Sequence, residues 1–122
     1  MAEFQNADQH DRSTATTIEV PTITLNDLLE QHKAPRRIDY ISIDTEGSEL
    51  AILEAFDFSA YDVQAFTIEH NFTPAREKIQ RLMQSHDYVR VLEAFSRWDD
   101  WYVRADIASQ LGFSPPLCRS AA

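Results

Sequence analysis

Apolar positions fall into two rhythms along this chain. Residues 38–44 (Ile-Asp-Tyr-Ile-Ser-Ile-Asp) and 63–70 (Val-Gln-Ala-Phe-Thr-Ile-Glu-His) are short runs rich in β-branched and aromatic residues, the pattern of strands. Between them, Leu50, Ile52 and Leu53 can share one side of a helix over about residues 48–56, with Ala51 and Ala55 permitting close approach to a sheet. A strand–helix–strand connection of this length crosses over with right-handed sense, so the two strands are expected to be parallel and near each other.

Weaker rhythms flank this unit. Residues 18–23 alternate apolar and polar but include Pro21, which removes a ladder donor and predicts a short or edge strand. Thr24 is placed to cap a brief helix whose Leu25, Leu28 and Leu29 form one stripe. Thr73-Pro74 predicts an N-cap followed by proline in the first turn, opening a helix to about residue 85 with Ile79, Leu82 and Met83 on one side. Val89, Val91 and Phe95 predict a further strand, and residues 98–104 a returning one, paired as an antiparallel hairpin. Asp99-Asp100 reads as a turn. Residues 1–17 are polar and aperiodic, a flexible lead-in by composition. The segment 105–122 shows no convincing period and is taken as a tail, leaving 18–104 as the folded domain.

Composition narrows the function classes. Asp and Glu outnumber Lys and Arg 20 to 11, for a formal net charge of -9, so neither nucleic acid nor an anionic membrane surface is an expected partner. Cys118 is the single cysteine, which rules out an internal disulfide and fits a reducing, cytoplasmic setting. No apolar run approaches the roughly 18 residues needed to span a bilayer. Only Gly47 and Gly112 occur, so a glycine-rich phosphate or dinucleotide loop is excluded.

The candidate chemistry lies where the two strands end. Asp44 closes the first, and Thr45-Glu46-Gly47-Ser48-Glu49 leads into the helix; open α/β sheets place their sites at such turns. Glu49 is explained by the positive end of the helix dipole. Asp44 is not, because a carboxylate closing a buried strand needs a partner or a crevice. Glu69 and His70 end the second strand at the same sheet edge, pointing to opposite faces by strand alternation. His70 is a candidate general base by its reference pKa of about 6.5. Several carboxylates at one helix entrance repel phosphate and suit hydroxyls, an amine or a cation; no ligand-loop spacing supports a metal site. Trp98, Trp101 and Tyr102 read as cross-strand packing.

Three blocks, Thr22-Ile23-Thr24-Leu25-Asn26-Asp27-Leu28-Leu29, then residues 38–49, then Phe66-Thr67-Ile68-Glu69, together resemble the carboxyl-terminal half of FkbM-type methyltransferases, over about residues 18–104. The resemblance implies a partial three-layer Rossmann-like methyltransferase sheet. Its strands would be equivalent to the fourth to seventh of the family, mainly parallel with a terminal antiparallel hairpin. It further implies S-adenosylmethionine as cofactor and a small-molecule hydroxyl acceptor, such as a sugar or polyketide-like molecule. Asp44 and Glu46 match the family's D-x-E-G turn, with Asp44 also on the cofactor side, and Glu69 matches the acidic end of the next strand. With His70 these are the candidate catalytic residues, although His70 has no counterpart in the resemblance. The family's glycine-rich half has no match here, so the open strand edge is expected to pair with another chain. The alternative is a noncatalytic, protein-binding module that retains the fold.

Overall fold

The computed structural model describes residues 14–113. Within them the order of elements is α1 (Leu25–Gln31), β1 (Arg37–Ile43), α2 (Glu49–Ala55), β2 (Asp62–Glu69), α3 (Ala75–Ser85), β3 (Tyr88–Val91), β4 (Asp99–Arg104) and α4 (Ala105–Gln110). Most of the lead-in and the end of the tail, including Cys118, lie outside the described residues. No described helix is long and apolar enough to cross a membrane.

The four strands form one sheet in the order β1-β2-β4-β3. β1 and β2 are parallel, as the crossover requires, with Ile41 opposite Phe66 and Ile43 opposite Ile68. β4 inserts between β2 and β3 and runs antiparallel to both. The terminal antiparallel hairpin is as expected, but β4 also pairs antiparallel with β2, so the fold is a mixed α/β domain with one parallel pair rather than a mainly parallel sheet. The physical reason is the short 92–98 connection, which can only return the chain antiparallel.

Pairing sorts the side chains. Phe66 shares a face with Ile41, Ile43, Ile68 and Tyr102, and this face meets Leu53 of α2 and Ile79 and Met83 of α3 in the buried core. Aromatic edges lock it: the Phe66 ring lies 5.3 Å from Tyr88 and 6.3 Å from Phe56, both T-shaped. The buried Tyr88 hydroxyl donates to the Val63 carbonyl at 2.6 Å, so its polar atom is satisfied. The opposite face carries Tyr40, Ser42, Thr67 and Trp101 in register. There the Tyr40 hydroxyl meets Thr67 Oγ1 at 2.5 Å, while Tyr40 and Trp101 stay about half exposed.

Several local expectations change. Residues 18–23 form no ladder, and Ile18, Val20 and Ile23 are exposed; Pro21 supplies no donor to a neighbour. Thr24 does cap α1, accepting from Asp27 N–H at 3.1 Å. At α3 the cap position is Pro74, without a side-chain bond, so Thr73 does not cap. β3 stops at Val91 because Leu92 takes a left-handed conformation, φ 55°, and Phe95 stands in the following turn, exposed. Asp99 and Asp100 lie inside β4 rather than in a turn. The supposed tail opens with α4, which packs on β3 and β4 through buried Ala108.

Leu53 is fully enclosed by this core. Leu53→Ala is expected to cost about 3 kcal/mol by loss of transfer energy plus a cavity, read as a lowered urea midpoint at unchanged slope.

Candidate active site

The register that sets Ile43 opposite Ile68 carries Asp44 alongside Glu69 as the two parallel strands end. Beyond Asp44 the chain turns through two left-handed residues, Glu46 (φ 58°) and Gly47 (φ 123°); Gly47 supplies the freedom this requires. Glu49 then reaches back across the turn. Its carboxylate accepts Thr45 N–H at 2.7 Å, the Thr45 hydroxyl at 2.9 Å and Gly47 N–H at 3.0 Å. The dipole argument thus captures only part of Glu49, which is buried because it satisfies the turn's own donors. Ser48 occupies the N-cap of α2 without a side-chain cap bond, its hydroxyl donating to Thr45 Oγ1 instead.

With the turn fixed, Asp44, Glu46 and Glu69 bring carboxyl oxygens within 4.8 Å of one another. Asp44 and Glu46 are exposed, whereas Glu69 keeps only 9% of its surface. The Glu69 carboxyl is pushed up to about 7, chiefly by burial and then by the Asp44 side chain beside it, with the Asp44 and Glu46 charges adding to the rise and Asn71 opposing it. Glu69 Oε2 is buried without a hydrogen-bond partner. Glu46 and Glu69 border a cleft of about 560 Å³ between the entrances of α2 and α3, walled by Leu50, Ala51, Pro74, Ala75 and Ile79, while Asp44 stands next to them outside its lining. An apolar wall facing a few converging carboxyl groups can enclose a small organic molecule and meet its hydroxyl or ammonium group.

His70 also borders the cleft. It sits just past the strand, where its N–H donates to the Trp98 carbonyl at 2.8 Å. Its Nδ1 accepts Phe72 N–H at 2.9 Å. Nε2 is buried and lies 3.6 Å from Asp100 Oδ1. Burial holds the imidazole below its ordinary pKa, partly opposed by Asp100.

Asp100 is the feature that local pattern hides. Fully buried on β4, it accepts both Arg76 Nε and Arg76 Nη2 at 2.8 Å, with Arg90 Nη1 at 3.6 Å. This two-pronged arginine–carboxylate pair ties α3 to the sheet beneath the cleft. Only the spacing that puts Asp100 and Tyr102 on one strand face signals it, and nothing in the chain links Asp100 to Arg76 before folding. Trp98 and Trp101 remain half-exposed, while Tyr102 is core.

Because the Glu69 pKa is raised from 4.5 to about 7, the folded state binds more protons than the unfolded one in that window. Stability contributed by Glu69 is therefore full below about pH 4.5 and is lost as pH rises through about 7. Urea unfolding of the wild type and Glu69→Gln at about pH 5 and about pH 8 should show the variant gaining on the wild type at the higher pH.

The methyltransferase FkbM domain model matches residues 1–114 of the 122, a wider span than the three sequence blocks cover. No curated protein and no solved structure matches the chain significantly. The match embraces the strand-end turn, both parallel strands and the hairpin, so the chain belongs to the FkbM methyltransferase domain family.

Proposed function

We propose that this domain serves S-adenosylmethionine-dependent methylation of a hydroxyl group on a small molecule, on a Rossmann-like sheet. The observation that carries the reading is the alignment of Asp44 with Glu69 at the carboxyl ends of parallel strands, in a family of methyltransferases. The donor set fits the cofactor: converging carboxyl groups favour its ammonium and sulfonium charges, and the apolar wall suits its uncharged parts. When bound, the cofactor supplies an electrophilic methyl group. Asp44, exposed beside Glu69, is assigned to holding it, and Glu46, on the cleft lining, to orienting the acceptor hydroxyl.

Glu69 takes the hydroxyl proton in this reading. A carboxyl titrating near 7 is half-ionised at neutral pH and still basic enough to accept a proton, the balance that favours general-base catalysis. The walls formed by α2 and α3 hold the acceptor against the reacting group, and such positioning provides much of the acceleration in a bimolecular displacement. A second reading rests on a separate observation: β1 lies at the edge of the sheet, where a partner strand could add to its ladder. In that case the domain is a noncatalytic interaction module.

Titration calorimetry with S-adenosylmethionine separates the two. Micromolar binding that weakens by about tenfold or more in Asp44→Asn supports the first reading. Absence of heat, or binding indifferent to Asp44, overturns it. For an active preparation, methyl transfer to a hydroxylated acceptor should be lost in Glu69→Gln and should rise with pH through about 7 in the wild type.

A further inference from the structure

We propose that His70 is a positioning residue: its Nδ1 lone pair holds the turn at Asn71 and Phe72 so that the Asn71 side chain stays against the Glu69 carboxyl. Asn71 (φ 44°) and Phe72 (φ 56°) are consecutive left-handed residues without glycine, a conformation that persists only when its surroundings hold it. Two bonds from one residue do so. Phe72 N–H donates to His70 Nδ1 at 2.9 Å, and Thr73 N–H donates to the His70 carbonyl at 2.8 Å. The first is the geometry of an Asx turn, in which a side-chain acceptor captures the N–H two residues on.

An acceptor at Nδ1 requires the proton to sit on Nε2, and the surroundings favour that form. Nε2 faces Asp100 at 3.6 Å, while the arginine pair from Arg76 already occupies both Asp100 oxygens. The charged groups around the ring are Asp99 and Asp100 of β4, Arg76 of α3 and Arg90 of β3, two of each sign, and the Phe72 ring closes the side at 5.0 Å, edge-on. A neutral imidazole thus fits the space, and both its nitrogens are directed away from a proton-transfer role. The consequence falls on Glu69. Asn71 borders the cleft together with Glu69, and its side chain favours the ionised form of that carboxyl against the pull of burial and of Asp44. His70 therefore acts on the site through the turn, without touching the acceptor.

The test uses the isotopically labelled chain without cofactor, so its failure is distinct from failure of the methyltransferase reading. Imidazole ¹⁵N shifts should report His70 as neutral with the proton on Nε2. In His70→Asn the side-chain oxygen replaces Nδ1 as acceptor, and protection of the Phe72 amide from exchange should be retained, as should the Glu69 carboxyl titration midpoint. In His70→Leu that protection should fall by about tenfold or more while the Glu69 midpoint moves upward. A proton on Nδ1, a His70→Asn variant that behaves as His70→Leu does, or a folded His70→Leu with both readouts unchanged overturns the proposal. If His70→Leu fails to fold, Asn71→Ala decides: the Glu69 midpoint should rise with His70 intact, and an unchanged midpoint overturns the proposal.

Discussion

Two carboxyl groups placed side by side at the ends of adjacent parallel strands cannot both carry full charge once one of them is buried. That constraint organises the working end of this domain. Asp44 stays in solvent, and Glu69, closed in by the strand end and the turn after it, is driven towards neutrality. Burial of Glu69 beside an exposed carboxyl group is the kind of arrangement by which one member of such a pair acquires a distinct chemical role. The rest of the local architecture keeps the pair in place: parallel register sets the spacing, and each strand end is followed by a turn braced from within.

The two turns solve one problem by related means. After β1, the chain passes through left-handed Glu46 and Gly47, and the buried Glu49 carboxylate gathers the donors of the turn. After β2, it passes through left-handed Asn71 and Phe72, and His70 gathers the donor there. In both cases a side chain replaces backbone bonds that neither strand nor helix can supply. Deeper down, Asp100 and Arg76 join β4 to α3. Because a buried charge left without its partner is costly, this pair enforces one placement of α3 over the sheet, and with it the far wall of the cleft.

The parallel pair, the crossover helix, the α1 cap at Thr24 and the carboxyl-rich turn were all legible from local pattern, because each follows from residue spacing within a few positions. The departures have two causes. Leu92 ends β3 through a backbone conformation that its side chain does not announce. Asp99-Asp100 carries turn-forming composition, yet β4 is drawn into the sheet by ladders on both sides. Ala105–Gln110 has little periodicity of its own and is helical where it covers β3 and β4 through Ala108. In the last two cases tertiary packing outweighed local preference.

By itself, the order of residues determined which carboxyl groups stand at strand ends and that the first two strands run the same way, since each depends on short-range spacing. Only the tertiary structure decided that Glu69 titrates near neutrality, that Glu49 and His70 brace turns, and that Asp100 is buried against Arg76. The reason is physical: desolvation and charge pairing depend on which distant segments exclude water from a group, and that is fixed when the sheet closes and the helices settle on it.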